Sequence, residues 1–440
     1  VDEGHDDVVT LIRSVRCITI VLRLSVPFLP HLASMRSMVL DRLFARRFVV
    51  SGLYTPYHKI TSDALRNSTE RFLPQQRFLS SNMTKPKLQW NKILPKVDPK
   101  HGQPCCRSSH GVSYIQSSSR LVIYGGERVA RTPLEASDAT WACDMDDNGG
   151  AGQWRLIGGE HPPLRVAHSQ ALHEKSSTIY VFGGRAGIQM EEAAMNDLWK
   201  LDCSGEAGSE KWSKVDADLQ AGDAVPEARS FHKMVCLGDS LYVFGGCGAT
   251  SGRLNDMHRF DIEARTWHGL GSSQYLRGRG GATLLPLDSG KSLGVVAGFA
   301  GEETNDGHLF DVSEGAWAGD SVNDGLKGLR PRSVCIGGSF PGAGVSVIFG
   351  GEVDPSAKGH EGAGGFENDV VLLEESTGKL LETIPQQKDD PGAPETRGWS
   401  DGAVALDDNG GSLFVFGGLS GDDAAPKRLD DLWKLAVTKE

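Results

Sequence analysis

The chain is organised by a short apolar string that ends in two small residues. It recurs six times, as LVIYGG ending at Gly126, IYVFGG at Gly184, LYVFGG at Gly246, LGVVAGFAG around Gly298, SVIFGG at Gly351 and LFVFGG at Gly418. Taken from the first glycine of each copy (125, 183, 245, 298, 350 and 417), the spacings are 58, 62, 53, 52 and 67 residues. Each string is the length of one buried strand bounded by turn residues. An Arg, often followed by His, precedes it: Arg107-Ser-Ser-His110, Arg165-Val-Ala-His168, Arg229-Ser-Phe-His232. Downstream come Asn196-Asp-Leu-Trp-Lys-Leu-Asp202 and Asn255-Asp-Met-His-Arg-Phe-Asp261, then a tryptophan that opens another strand: Trp154, Trp212, Trp267, Trp317. Each repeat therefore predicts four short antiparallel strands, with the tryptophans packed between neighbouring units.

A four-stranded sheet has two faces and cannot cover both alone. Radial stacking buries them against one another and leaves only short edges. A period near ~50 residues with this content is a kelch signature, so the fold expected is all-β, a six-bladed kelch β-propeller. Its closure is legible too. The sixth repeat ends with Asp430-Asp-Leu-Trp-Lys-Leu435, a third strand, and lacks a fourth. Gln89-Trp-Asn-Lys-Ile-Leu94 is a fourth strand without a blade, and it should complete blade six.

Residues 83–440 are then the propeller, and residues 1–82 an extension outside it. The formal net charge is -11, but residues 1–82 hold 11 Lys and Arg against 7 Asp and Glu, a net of +4 that leaves -15 for the rest. So acidic a domain is a poor partner for nucleic acid or an anionic membrane. The apolar stretch from Cys17 to Ala33 is interrupted by Arg23, Pro27 and Pro30 and is too short to span a bilayer. The extension, with Arg77-Phe-Leu-Ser-Ser81 near its end, reads either as a mitochondrial presequence or as translated sequence ahead of a start at Met83. The eight cysteines form no C-x-x-C pair and sit at unrelated points of the repeats, which argues for a reducing compartment. The expected location is the cytoplasm, or the mitochondrion if the extension is a presequence.

In a propeller the loops after the glycine doublets share one face with the loops between blades. Glu127, Arg185, Cys247 to Arg253, Glu302 and Glu352 to His360 are thereby expected around one mouth, with Arg107, Arg165, Arg229, Arg277, Arg279, Arg332 and Arg397. The Arg-x-x-His motifs recur in several blades, as a loop-bracing role predicts. The longest loop holds Glu352, Asp354, Ser356 and His360 within nine residues, which either binds a divalent cation such as Fe(II) or is a solvated acidic loop. Arg185 and Arg253 suit a sulfate, phosphate or carboxylate, or else pair with acids such as Glu127 or Glu191.

From Met83 onward the chain resembles the plant nitrile-specifier, epithiospecifier and thiocyanate-forming proteins. The resemblance rests on Phe182-Gly-Gly-Arg185, Pro226-Glu-Ala-Arg-Ser-Phe-His232, Arg279-Gly-Gly281 with Gly298-Phe-Ala300, Arg332-Ser-Val, Gly351-Glu-Val353 with Gly359-His360, and Arg397-Gly-Trp399. It implies Fe(II) held by Glu352 and His360, arginines Arg185 and Arg253 on the sulfate of a glucosinolate aglucone, Phe231 lining the pocket, and diversion of that compound to a nitrile. The family's Asp ligand falls on Ser356; Asp354, two residues earlier, is the substitute within reach of the sequence. The expected partner is a small anionic, sulfated ligand. The alternative is a non-catalytic kelch module that binds a protein partner, although the mouth loops are mostly Gly, Asp, Ser and Ala and the sequence shows no BTB, F-box or coiled-coil segment.

Overall fold

The structure is a computed structural model. It describes residues 85–146, 150–187, 192, 194–218, 224–321, 323–359, 362–387 and 390–440, together with 14–15 and 18–19. The chain divides into two compact units, Val1–Arg77 and Phe78–Glu440. In the first, the described residues are a minimal antiparallel pair, Ser14–Val15 with Ile18–Thr19.

The second unit is all-β, and its helical turns among the described residues are short 3₁₀ segments. Six antiparallel sheets follow one another in sequence. Blade one is Gly111–Ile115, Arg120–Tyr124, Thr140–Met145 and Gly152–Leu156; blade two is Ser169–His173, Thr178–Phe182, Leu198–Asp202 and Lys211–Val215. Blade three is Lys233–Leu237, Ser240–Gly248, Gly252–Asp261 and Thr266–Ser272, with the short strand Arg229–Ser230 on its inner edge; blade four is Thr283–Leu287, Ser292–Phe299, Glu303–Asp311 and Ala316–Ser321. Blade five is Ile336–Phe340, Val345–Phe349, Val370–Glu374 and Leu380–Ile384. Blade six is Asp401–Asp407, Gly410–Gly421, Pro426–Thr438 and, as its outermost strand, Lys87–Ile93. The first strand of each blade touches the first strand of the next, and Gly111–Ile115 touches Asp401–Asp407, so the inner strands form a closed circle.

The predicted closure holds: Trp90 pairs with Leu435 and Ile93 with Leu432 in an antiparallel ladder. The core is likewise divided among the gaps between blades. Ile115, Val122 and Tyr124 meet Ile179, Val181 and Trp212 between blades one and two. Phe182 and Met234 meet in the next gap, with Trp267. Trp154 packs with Phe414 and Phe416 across the closure. Buried side chains of this size stabilise by about 1.5–3 kcal/mol each relative to exposure, so blade contacts carry the fold.

The glycine doublet is required where blades touch. Gly183 has φ +62°, and a Cβ there would lie 2.7 Å from His232 Cε1 and 2.8 Å from the Arg229 carbonyl. Blade four corrects the sequence reading: its doublet is Ala297-Gly298, with Ala297 itself at φ 59°. The amide of Gly298 bonds the carbonyl of Arg332 as that of Gly126 bonds the carbonyl of Arg165. The mouth residue that follows is therefore Phe299 and not Glu302, which is exposed and paired with Arg277.

Candidate functional site

The recurring arginines are braces, as their repetition suggested. Arg107, Arg165, Arg229, Arg279, Arg332 and Arg397 are all buried. Arg229 is representative: Nε donates to the Glu227 carbonyl at 3.0 Å, Nη1 to the Gly245 carbonyl at 3.0 Å, and the guanidinium pairs with both oxygens of Asp256 at 2.7 and 2.8 Å. The same fork recurs with Asp197, Asp306, Asp369 and Asp431, and with one oxygen of Asp138. Each brace ties an inter-blade loop to the second and third strands of its own blade. They are consumed by the fold and leave little for a ligand.

Two residues beyond each brace lies Ser109, Ala167, Phe231, Gly281, Val334 or Trp399. All have left-handed backbones, with φ between 48° and 61°. The amide of Ala167 donates to Ser109, Phe231 to Ala167, Gly281 to Phe231, Val334 to Gly281, Trp399 to Val334 and Ser109 to Trp399, at 2.6–3.1 Å. These six bonds form one ring about the axis. Phe231 and Trp399 stand three places apart in it, on opposite sides, and their rings meet edge to face with centroids 5.4 Å apart. A left-handed backbone is costly for bulky residues, so two large aromatics here mark a place where function competes with local comfort.

Around the ring sit the residues that follow the doublets: Glu127, Arg185, Cys247, Phe299, Glu352 and Leu419, each backbone-paired to the residue just after a brace. One side of the mouth is cationic. Arg185 is buried, with Cζ 5.1 Å from the centre of the Phe231 ring. Arg131, which the sequence reading did not single out, also covers these aromatics: its Cζ is 4.6 Å from the Phe231 ring and 5.3 Å from that of Trp399. It is set by a hairpin, Glu127–Val129 with Thr132–Pro133, and its amide donates to Glu127 Oε2 at 2.5 Å. Burial pulls its guanidinium down to about 10, an effect opposed by Glu127 and reinforced by Arg185. Nothing in the repeat pattern marks Arg131, because it lies in the turn that follows the doublet of blade one, and these turns differ in length and sequence from blade to blade. Arg428 pairs with Glu127 at 3.5 Å and donates to Ser108 Oγ at 3.1 Å. Arg253 is exposed and stacks on Phe299 at 4.7 Å, at the rim. Of the acids named as alternative partners for Arg185, Glu127 serves Arg131 and Arg428, and Glu191 lies outside the described residues.

The other side is acidic. Glu352 is buried and accepts the indole N–H of Trp399 at 3.1 Å. Burial pushes its carboxyl up, against the Trp399 bond. Glu303, also missed in the sequence, accepts from Ser333 Oγ at 3.2 Å. Burial pushes it up to about 8, opposed by the Ser333 bond and reinforced by Glu352 and Asp354.

The loop expected to bind metal divides. Glu352 faces the mouth, but Asp354 is exposed and pairs with Arg330 at 2.9 Å. The Ser356 hydroxyl donates to Asp423, whose other oxygen accepts the amide of Ala357 at 3.0 Å. His360 lies outside the described residues. Among the described residues no three His, Cys, Asp or Glu side chains assemble into a cation site. The described donors thus offer Fe(II) one ligand, Glu352. Two clefts, of about 300 and 440 Å³, lie elsewhere, one around the Arg332–Asp369 brace and one between Trp90 and Ile384 beside the closing strand.

Comparison with known proteins follows the same lines. Residues 136–336 match the family described as the KLHDC2/KLHL20/DRC7 Kelch-repeats domain. The chain is 27% identical over 370 residues to the N-(sulfonatooxy)prop-2-enimidothioate sulfolyase of Thlaspi arvense, covering 78% of this chain and 96% of that one. It is 29% identical to the Leucine-zipper-like transcriptional regulator 1 homolog of Drosophila melanogaster, over 47% of this chain and 20% of that one. It is 27% identical to human Host cell factor 2, over 42% of this chain, and spans 23% of that relative's length. The solved structure of YjhT superposes with a TM-score of 0.54 at 15% identity, covering 76% of this chain and 98% of that one. Sheet order, brace geometry and these likenesses agree that the chain is a six-bladed β-propeller built from kelch repeats.

Proposed function

We propose that the mouth binds a small organic oxyanion and that the protein acts on it in the manner of the specifier proteins it resembles. The observation that carries this reading is Arg185, buried at the mouth with its guanidinium over the ring of Phe231. A planar guanidinium held against an aromatic is preorganised for a sulfate, sulfonate or carboxylate. The likeness to a sulfolyase over 96% of that enzyme's length supports a sulfated ligand in particular. In nitrile formation from such a substrate the N–O bond breaks with its electron pair leaving on sulfate, the C–S pair becomes the third C–N bond, and the thiolate sulfur departs as sulfur(0). Fixed positive charge at the departing oxygens stabilises that transition state. The edge-to-face pair Phe231–Trp399 offers an apolar wall for the remainder. Glu352 is placed to bind a cation only with help from His360 and a turned Asp354, and Fe(II) is proposed on the resemblance alone.

The test is to release an allyl glucosinolate's aglucone with a thioglucosidase in the presence of the full chain, with and without Fe(II), and to quantify products by gas chromatography. Nitrile or thiocyanate above the protein-free control is expected, and Arg185→Ala should lower it at least about tenfold, as loss of a charge-stabilising group does. An unchanged product spectrum with Fe(II) present rejects the reading.

A protein-interaction module is the second reading, favoured by the likeness to the Leucine-zipper-like transcriptional regulator 1 homolog and to Host cell factor 2, and by Val129, which is 65% exposed in the hairpin beside the mouth. It requires Val129, and not the arginines, to govern binding.

A further inference from the structure

We propose that Arg131 and Arg185 together form the anion seat of the mouth, and that Arg253 is a rim residue outside it. This rests on the reading of the mouth as an oxyanion site and assigns its second cation to a different residue. Arg131 is only 4% exposed, and among the described residues its Nε and Nη1 have no hydrogen-bond partner. A buried guanidinium with unmet donors is destabilising unless something supplies acceptors. The nearest carboxylate does not do so. Glu127 takes the backbone amide of Arg131 with one oxygen; its other oxygen faces the hydroxyls of Ser108 and Ser109 and the guanidinium of Arg428.

Position points the same way. Arg131 and Arg185 approach the same ring, that of Phe231, at 4.6 and 5.1 Å. Like charges so close repel, and an oxyanion shared between them removes that repulsion. The left-handed backbone of Arg131, φ 61°, and its amide bond to Glu127 fix the side chain's origin, so little ordering is left to be done on binding. Arg253 has neither property: it is exposed, and its guanidinium lies over Phe299 of blade four. The ligand class is a compact molecule with one tetrahedral or planar oxyanion, its uncharged part against Phe231 and Trp399.

The test uses the full chain with inorganic sulfate and methyl sulfate as probes, read by calorimetry and by thermal melting. Sulfate should raise the melting temperature of the wild type, because a ligand that binds only the folded state stabilises it. Arg131→Met should melt no lower than the wild type without sulfate, yet lose at least about tenfold in affinity for both probes, as loss of a charge-assisted contact implies. Arg131→Lys should fall between, and Arg253→Ala should stay within about twofold of the wild type. Equal affinity in Arg131→Met and wild type overturns the seat, as does a wild type that binds neither probe. If Arg131→Met does not fold, the Arg131→Lys titration decides: unchanged affinity overturns the proposal. Product diversion by a wild type whose affinity ignores Arg131 would leave the specifier reading standing and remove only this assignment.

Discussion

The amide of Ser109 donates to the carbonyl oxygen of Trp399 at 2.6 Å, joining blade one to blade six at the axis. That bond completes the ring of left-handed residues, and it places an indole where four other blades carry Ser, Ala, Gly or Val. The ring itself needs only backbone groups, so the side chains of Phe231 and Trp399 are engaged at the mouth, Trp399 with Glu352 and both with one another. Replacing Trp399 or Phe231 by glycine removes a left-handed penalty of about 1–2 kcal/mol and an aromatic contact of about 0.5–1.5 kcal/mol beyond the area it buries. Trp399→Gly also strips the indole donor from the buried Glu352, a loss of about 1–3 kcal/mol. Phe231→Gly should therefore unfold in urea closer to the wild type than Trp399→Gly does, while both lose affinity for methyl sulfate, the weaker loss falling on the variant that keeps Phe231. A large stability loss in both would show that the aromatics hold the ring.

The braces should behave oppositely. Arg229→Ala leaves Asp256 half buried with His258 as its remaining side-chain partner, and removal of one member of such a pair costs up to about 3–5 kcal/mol. Arg253→Ala, at an exposed site, should cost no more than about 0.5 kcal/mol. Denaturant midpoints of the two variants, measured side by side, separate a residue used by the fold from one on the exposed rim.

Acid sensitivity should begin well above the carboxylate range. Burial holds the imidazoles of His110 and His232 down to about 3, and that of His168 well below its ordinary 6.5, with the charges of Arg107, Arg229 and Arg165 respectively acting in the same direction. Between about pH 6.5 and 3 the unfolded chain therefore binds these protons and the folded one does not. The histidines' contribution is fully present above pH 6.5 and is lost as the pH drops, by at most about 1.4 kcal/mol per unit for each histidine. Below about pH 4 the brace carboxylates join in. Burial alone would raise Asp256, but the bonds from Arg229 and His258 hold it far below the usual range, and Asp197, Asp306 and Asp431 are lowered in the same way. His168→Gln should remove about a third of the histidine contribution to the slope of stability between pH 6.5 and 5, in proportion to the protons removed.

Glu303 has the reverse linkage. Its carboxyl, ordinarily at 4.5, is pushed up to about 8, so the folded chain holds a proton that the unfolded chain has released. The contribution is whole below pH 4.5 and is lost as the pH rises through 8. Glu303→Gln keeps the shape and removes the charge. It should raise stability at pH 8, by an amount on the order of a few kcal/mol, and change little at pH 4. Melting curves at the two pH values are sufficient; an equal shift at both would assign the effect to packing.

The fold was legible because its determinants repeat. Six apolar strings, the arginines that precede them and the brace aspartates that follow each do one job six times, and Trp90's strand without a blade, beside a sixth repeat short of one, exposed the closure. Blade four was misread by one residue because Ala297 occupies a position held elsewhere by glycine. The site was legible only where it reused the repeat, as Arg185, Phe231 and Glu352 do. Arg131 and Glu303 escaped because they lie in or just after the turns beyond the doublets, where length and residue type change from blade to blade although the backbone pairing recurs. Their significance lies in burial and in what faces them, which spacing does not encode. The loop from Glu352 to His360 had the opposite problem: its spacing suggested ligands, but Arg330 and Asp423 engage Asp354 and Ser356.

The closing strand offers the most decisive test of the architecture. All seven residues from Lys87 to Ile93 pair with the strand Pro426–Thr438, and Trp90 packs on Phe349 of blade five with centroids 4.8 Å apart. Removing residues 85–94 would uncover a strand edge over Leu432 to Thr438 and open the apolar gap between blades five and six, where Leu435 and Val437 lie. An unpaired edge beside exposed apolar surface recruits other strands. The shortened chain should therefore associate, seen as concentration-dependent light scattering, and melt well below the intact protein. A synthetic peptide of residues 85–94 should reverse both effects by adding a strand to that edge, whereas the same peptide with Trp90→Ala should do so at a higher concentration. A shortened chain that stays monomeric with an unchanged melting temperature would mean that blade six is complete without its borrowed strand.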